Sequence, residues 1–281
     1  MELRFLEHDE GRVKFVLSGV DSAFVNALRR TMIADVPKLA VDEVEIYENT
    51  SLLYDEQIAL RLALIPLRCT EELVHPEDCE CGGKGCEKCE VKLQLECESP
   101  DTEGSITIYS KDLKPLDERV SVVHQRIPLI RLTSLTKDVG SIRMPVKQRV
   151  SLIAKARMGT GREHAKWQPV TVCGYKNTPI IRINEEICRG CGRCAEECPK
   201  NLINVREKAE ISDELSCILC KLCENACENK AIHVICADDS FVFFAESDGS
   251  LTIDHIVTKA ARIMQRRCDN FISELESTAA Q

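Results

Sequence analysis

Cysteine is the residue type with the most evident chemistry in this sequence. The chain has 281 residues and 17 cysteines, an odd total that disulfides cannot pair completely. The N-terminus carries no apolar export signal, so we expect these cysteines to stay reduced and to bind metals. Their spacing indicates which of them share a metal.

Two cysteine-rich segments have the spacing of a two-cluster bacterial ferredoxin. Residues 188–198 read CRGCGRCAEEC, followed by a proline, and residues 217–227 read CILCKLCENAC, followed by Glu228. In this pattern three thiolates bind one [4Fe–4S] cluster and the fourth reaches the other cluster. The spacing predicts one cluster on Cys188, Cys191, Cys194 and Cys227, and a second on Cys198, Cys217, Cys220 and Cys223.

The two segments belong to an internal repeat with a period of 29 residues, in which Cys188 aligns with Cys217 and Ile203 with Ile232. Eight buried or zinc-bound cysteines are the alternative, and a repeated spacing inside a repeated sequence makes it the weaker one. Residues 184–230 have few large aliphatic side chains to offset the conformational entropy lost on folding. We therefore expect metal–thiolate bonds to hold this region in shape.

A third group of cysteines lies in the segment CECGGKGCEKC. Two close pairs joined by a glycine-rich bend can bring four thiolates onto one tetrahedral metal ion. The segment therefore predicts structural zinc on Cys79, Cys81, Cys86 and Cys89, with a flexible loop of reactive thiols as the alternative. The remaining cysteines have apolar neighbours and read as mostly buried small residues; they are Cys69, Cys97, Cys173, Cys236 and Cys268.

The apolar pattern predicts the elements that position these groups. Two strands turn at Asp9–Gly11, and a helix capped by Asp21 or Ser22 runs to about Asp35, before Pro37. Further along we expect a strand at 39–47, a helix at 55–64, a hairpin of 91–97 with 105–110, a strand at 149–157, one or two strands over 231–247, and a long helix at about 252–275.

Charge and hydropathy limit the classes of function. The chain has 37 basic and 46 acidic residues, a net charge of −9, which disfavours a protein that coats nucleic acid or an anionic membrane by itself. No apolar stretch approaches the ~20 residues that span a bilayer. We therefore expect a cytoplasmic chain of about two domains, or three small ones, without a membrane partner.

Three blocks outside the cysteine segments resemble one known family. Residues 21–67, DSAFVNALRRTMIADVPKLAVDEVEIYENTSLLYDEQIALRLALIPL, closely resemble the N-terminal signature of the D-subunit family of archaeal DNA-directed RNA polymerases. Residues 156–170 and 244–264 match later blocks of the same family, which is related to the eukaryotic third-largest subunit and the bacterial alpha amino-terminal domain. CECGGKGCEKC resembles the zinc loop of the eukaryotic relative, with a longer central spacer.

The resemblance implies an α+β fold with a discontinuous, alpha-like dimerisation domain. That domain would consist of residues 1–48, 141–182 and 232–281, with a mixed α/β insert at 49–140 that contains the cysteine loop 79–89. Residues 183–231 would form a ferredoxin-like iron–sulfur domain, an insert that some archaeal members carry.

The resemblance also implies partners. Members pair with the small subunit L, and the heterodimer nucleates assembly of the two large catalytic subunits, so DNA is reached only through the complex. Partner-facing helix residues would be Phe24, Leu28, Met32, Ile256, Ala260, Ile263 and Met264. Arg29 and Arg30 match an arginine pair of the family, for which contact with a large subunit and a solvated exposed pair are the two interpretations.

Two functions follow from these patterns. The first is a non-catalytic assembly subunit of DNA-directed RNA polymerase, because the chain shows no Asp-rich magnesium motif, phosphate loop or nucleophile–base pair. Nucleotidyl transfer would then belong to the complex. The alternative is a ferredoxin-type electron-transfer protein, which the polymerase-like flanks and the lack of a flavin or nicotinamide motif disfavour.

Overall fold

The computed structural model describes residues 1–71, 73–139 and 142–279. It divides into two compact units, Met1–Arg29 with Val172–Ala245 and Arg30–Thr171 with Glu246–Gln281. Both contain strands and helical segments, and the predicted α+β class is confirmed. The predicted boundary at 140/141 and the last two residues of the chain lie outside the described residues.

The strands and helices follow one another in this order. The strands are β1 (Glu2–His8), β2 (Arg12–Ser18), β3 (Lys38–Asn49), β4 (Leu67–Cys69), β5 (Glu90–Glu98), β6 (Gly104–Tyr109), β7 (Lys114–Pro115), β8 (Val120–Val122), β9 (Pro128–Val139), β10 (Ile142–Val146), β11 (Arg149–Gly159), β12 (Val170–Ile183), β13 (Ile203–Val205), β14 (Ala209–Ile211) and β15 (Ile232–Ser247). The helices are α1 (Ser22–Ala34), α2 (Asp55–Ala63), α3 (Arg193–Glu196), α4 (Leu222–Asn225) and α5 (Ile253–Ala279).

The first unit is built on a four-stranded sheet in the order β1-β2-β15-β12. The predicted hairpin of β1 and β2 is confirmed, because the Asp9 carboxylate accepts from the backbone N–H of Gly11 and Arg12 at 2.9 and 2.7 Å. The predicted cap of α1 is also confirmed: the Asp21 carboxylate accepts from the Phe24 N–H at 2.8 Å.

Aromatic side chains fill the interior of this sheet. Phe15, Phe241 and Phe243 are fully buried, and the rings of Phe15 and Phe243 stack with centroids 5.1 Å apart. Phe241 and Phe243 lie on β15, which runs as one strand of 16 residues where the sequence left one or two open. The cysteine-rich residues 184–231 connect β12 to β15 and contain β13, β14, α3 and α4.

The second unit contains a sheet in the order β3-β11-β5-β7 and a smaller one in the order β10-β9-β6. Strand β11 pairs antiparallel with both β3 and β5, and its alternating buried residues, such as Leu152 and Ala154, enter the main core. The predicted hairpin of 91–97 with 105–110 is wrong, since β5 pairs with β11 and β7 whereas β6 pairs with β9. Alternation identifies a strand but not its partner.

Helix α2 packs Ile58 and Leu62 into this core. Helix α5 buries Ile253, Ile256 and Ala260 in its first turns, and its C-terminal half is exposed. No helix among the described residues is long and apolar enough to cross a membrane.

A buried ion pair lies in the second unit. The Lys38 ammonium, at the start of β3, bonds the Asp248 carboxylate and donates to the Gln168 carbonyl at 3.3 Å, and the side chains of both charged partners are at most 10% exposed. Asp248 also accepts from the N–H and hydroxyl of Ser250. A buried charge needs such partners because burial removes it from water.

We expect Lys38→Met to lower the free energy of unfolding by about 3–5 kcal/mol, because it leaves the Asp248 carboxylate buried without its cation. The double variant Lys38→Met with Asp248→Asn should recover most of this loss. Urea unfolding followed by circular dichroism measures both. Equal destabilisation by the single and double variants would contradict the attribution of the loss to the unpaired Asp248 carboxylate.

Candidate metal centres and partner-binding surfaces

The two sets of ferredoxin-type cysteines line two separate cavities. Cys188, Cys191, Cys194 and Cys227 line one cavity, together with apolar side chains that include Ile183 and Ile232. Cys198, Cys217, Cys220 and Cys223 line the other, beside Ile181, Leu202 and Ile203. The structure thus brings together the two groups of four that the spacing assigned to two clusters.

The thiols are also part of the packed interior of this region. Three of its eight buried core residues are cysteines, namely Cys194, Cys217 and Cys223. Burial raises the pKa of the Cys223 thiol to about 11. A buried thiol in this setting packs as a small apolar side chain unless a cation stabilises its thiolate. This donor set, soft sulfur ligands with apolar walls, fits an iron–sulfur cluster.

Hydrogen bonds to sulfur repeat between the two halves. The Leu202 N–H donates to Cys198 Sγ at 3.5 Å, and the Ala231 N–H donates to Cys227 Sγ at 3.2 Å, 29 residues later. Such bonds stabilise negative charge on sulfur, and they tune iron–sulfur clusters. In each half, the fourth cysteine, which is predicted to bind the cluster of the other half, therefore accepts an equivalent backbone hydrogen bond.

Left-handed backbone conformations repeat as well. Gly190 and Gly192 have φ angles of 63° and 83°, and the equivalent residues Leu219 and Lys221 both have a φ of 58°. A side chain in this conformation costs about 1–2 kcal/mol. The second half therefore holds the same loop shape as the first, with strain that glycine avoids.

Glu228 occupies the position where the first repeat has Pro199. The turn nevertheless forms in both halves, since the Lys230 N–H donates to the Cys227 carbonyl at 2.9 Å as the Asn201 N–H does to the Cys198 carbonyl at 3.0 Å. The Glu228 carboxylate pairs with the Arg193 guanidinium across the two halves. Proline is therefore unnecessary for this turn.

The third cysteine group is close enough to bind a single ion. All four Sγ atoms, of Cys79, Cys81, Cys86 and Cys89, lie within 4.8 Å of one another. Three of their separations are 3.5, 3.5 and 3.7 Å. Four thiolates at the Zn–S distance of ~2.3 Å stand about 3.8 Å apart, so this set fits a tetrahedral ion.

The backbone around this group is fixed. Gly82, Gly83 and Gly85 all have positive φ angles, as the predicted sharp bend requires. Glu90, next to the last cysteine, accepts from Arg157 of β11 at 2.6 Å. A hydrogen bond from Cys79 lowers the pKa of Cys81 to about 6, so one thiolate is present near neutral pH.

The other five cysteines differ from the prediction that most are buried. Cys69, Cys97 and Cys173 are half-buried, and Cys236 and Cys268 are exposed. Burial raises the pKa of Cys97 to about 11 and that of Cys173 to about 12, so these two stay protonated. The apolar neighbours in sequence gave no indication of the exposed pair, because β15 and α5 turn those positions outward.

Residues predicted to face a partner divide by burial. Leu28, Met32, Ile256 and Ala260 are buried within the chain, whereas Phe24 is exposed and Ile263 and Met264 are half-buried. A partner can therefore contact only Phe24, Ile263 and Met264 directly.

The two arginines of the predicted pair differ in exposure. Arg29 is half-buried and donates to the side-chain Oδ1 of Asn26 at 3.0 Å, and Arg30 is exposed.

The C-terminal half of α5 carries further exposed apolar residues. Phe271, Ile272 and Leu275 are 62%, 52% and 54% exposed. Three large apolar side chains on one exposed helix end are typical of a protein interface.

Comparison with known proteins decides the family. The RNA polymerase Rpb3/Rpb11 dimerisation domain matches residues 14–268. The chain belongs to this family. The resemblance found in the three sequence blocks is thereby confirmed, and the cysteine-rich segment lies inside the matched range of the Rpb3/Rpb11-family chain.

Archaeal relatives match along their whole length. DNA-directed RNA polymerase subunit Rpo3 of Methanosarcina acetivorans is 43% identical over 281 residues, covering 98% of both chains. The Rpo3 subunits of Archaeoglobus fulgidus and Pyrococcus furiosus are 36% and 35% identical. These matches cover 98% of this chain in both cases, and 98% and 97% of the relatives.

The repeat of this Rpb3/Rpb11-family chain offers a matched test of backbone strain. We expect Lys221→Gly to raise the free energy of unfolding by about 0.5–1 kcal/mol, because Lys221 is exposed and left-handed. Gly192→Lys, the converse change at the equivalent position, should lower it by a similar amount. Urea unfolding of anaerobically purified protein measures both.

Gly190→Ala serves as the control for steric effects, because its Cβ would lie 2.3 Å from the Glu207 carbonyl oxygen. It should therefore destabilise more than Gly192→Lys. No difference in sign between Lys221→Gly and Gly192→Lys would contradict the equivalence of the two loops.

Proposed function

We propose that the chain is a non-catalytic assembly subunit of archaeal DNA-directed RNA polymerase that pairs with subunit L. The observation that carries the proposal is membership of the Rpb3/Rpb11 dimerisation-domain family over residues 14–268. The relatives named as polymerase subunits cover 98% of the chain, so the proposal is not limited to one part of it. The heterodimer then recruits the two large catalytic subunits.

The exposed apolar end of α5 supports pairing with another subunit. A partner helix that packs against Phe271, Ile272 and Leu275 would remove their apolar surface from water. Ile263 and Met264 continue this apolar surface toward the N-terminus of α5. Phe24 is the large apolar residue that α1 exposes. Arg30, exposed on α1, is available to a large subunit, whereas Arg29 is oriented by Asn26.

We further propose that residues 183–231 form a ferredoxin-like domain with two [4Fe–4S] clusters. Cys188, Cys191, Cys194 and Cys227 would hold one cluster, and Cys198, Cys217, Cys220 and Cys223 the other. The clusters would supply the cross-links that a segment with so small an apolar core lacks. Cys191 and Cys220 are exposed, so each cluster would have one solvent-facing ligand.

The exposed ligands Cys191 and Cys220 would also make the clusters accessible to oxidants. Iron–sulfur clusters are sensitive to oxidation, and a cluster that holds a domain in shape makes the domain sensitive too. Polymerase assembly would then depend on the redox state of the cell. An electron carrier needs the same clusters but not a polymerase-family scaffold around them, and the comparisons do not support that alternative.

Co-purification tests the assembly function. A tagged full-length chain expressed in an archaeal host should be recovered with subunit L and both large subunits. Recovery of the chain without the large subunits would contradict the proposed function.

Cys188→Ser, Cys191→Ser and Cys194→Ser, made together, test the role of the clusters. We expect recovery of the large subunits to fall several-fold, because loss of a cluster loosens the domain and lowers the folded population. Cys236→Ser is the control, since this cysteine is exposed on β15 outside the metal centres. Unchanged pairing with L and unchanged recovery of the large subunits would exclude a structural role for the clusters.

The third cysteine group would hold one structural zinc ion. We expect Cys81→Ser with Cys86→Ser to remove about one zinc per chain and to leave the iron content unchanged, because their Sγ atoms belong to the four-sulfur set. Metal analysis of anaerobically purified protein measures both elements, with Cys97→Ser as the control. Unchanged zinc, or iron lost in parallel, would contradict the assignment.

A further inference from the structure

A strongly basic cavity in the second unit is not explained by the metal centres. It has a volume of about 580 Å³, and among the residues that the structure describes its lining has five Lys or Arg side chains, His75 and two carboxylates, although the chain as a whole has a net charge of −9. The basic residues are Arg162, Lys259, Arg262, Arg266 and Arg267. We call this cavity the basic groove.

Arg162 and Arg267 form ion pairs with Asp35 at the base of the groove. Burial opposes ionisation of Asp35, but hydrogen bonds from Arg267 and Arg162 outweigh it and lower the pKa of Asp35 to about 2. The Arg267 Nη1 atom lies 2.7 Å from the Asp35 carboxylate. The loop that carries Arg162 is held against α1, where the Arg162 N–H donates to the Ala34 carbonyl at 3.1 Å.

The other basic residues form a stripe on α5. Lys259, Arg262 and Arg266 are spaced at i, i+3 and i+7, so they lie on one helix face and extend about 10 Å along its axis. Arg262 and Arg266 are exposed, and within the part of the chain that the structure describes neither has an acidic partner. Guanidinium groups presented in this way bind carboxylates through two parallel hydrogen bonds.

Apolar residues complete the walls and indicate the kind of ligand. Pro37, Leu73 and Met158 line the groove beside the basic stripe. We propose that the basic groove binds an acidic peptide segment of another RNA polymerase subunit, with carboxylates on Arg262 and Arg266 and an apolar side chain against these walls. This rests on the proposed function, because it takes the partner to be a polymerase subunit.

A nucleic-acid strand fits the groove less well. The stripe on α5 offers three cations, whereas tight binding of a duplex commonly uses about 6–10 phosphate contacts. The apolar side chains of the groove would also find no apolar group to pack against on a phosphate backbone. A peptide that combines acidic and apolar side chains matches both features.

Photo-crosslinking in the intact polymerase tests the proposal. Benzoylphenylalanine is placed at Arg262 in the full-length chain, the complex is purified and irradiated, and adducts are identified by mass spectrometry. We expect an adduct with an Asp- and Glu-rich peptide of another subunit, in clear excess over the same probe placed at exposed Gln265 outside the groove. An adduct with nucleic acid, with a second copy of this chain, or none above the control would overturn it.

Charge reversal gives an independent readout. Arg262→Glu with Arg266→Glu should lower the share of the chain retained in the complex at about 0.3–0.5 M salt by roughly threefold, and Arg262→Lys with Arg266→Lys should retain it more fully. Equal retention of the reversed and the lysine variants would contradict the proposal. If the unsubstituted chain fails to co-purify with the large subunits, the proposed function itself fails; if it co-purifies without the adduct, only the groove assignment does.

Discussion

The segment between β12 and β15 depends on sulfur for its interior. Cysteines make up three of the eight buried residues in the core that this segment forms with Ile232 and Val234 of β15, and the two sets of four line two cavities. Leu219 and Lys221 keep left-handed backbone conformations that glycine adopts in the other half. The proposed metal clusters would supply the cross-links that a small core and a strained loop lack.

The second unit uses ordinary packing and places a four-sulfur group at its edge. Strand β11 lies at the centre of the main sheet and contributes buried residues along its length. Arg157 of β11 binds Glu90, which directly follows Cys89. The cysteine loop is therefore attached to a strand that is paired on both sides. A metal ion bound there would hold the cysteine loop in its conformation, whereas the core of the second unit is built from apolar side chains.

Helix α5 presents two kinds of exposed surface on different faces. Its first turns are buried by apolar residues, its C-terminal half exposes Phe271 and Leu275, and a basic stripe follows a separate face past Arg262. In a family defined by a dimerisation domain, one long helix that offers both an apolar and a cationic surface suits a subunit with more than one partner.

Local features of this protein were set by the sequence alone. Cysteine spacing and the 29-residue repeat grouped the thiols, and Asp9 and Asp21 determined a turn and a cap, because such signals act over a few neighbouring residues. Only the tertiary structure placed β5 and β6 in different sheets and buried Leu28 within the chain. It also joined Asp35, Arg162 and Arg267 into the base of a groove. Contacts between residues far apart in sequence depend on how complete elements pack, which no local pattern encodes.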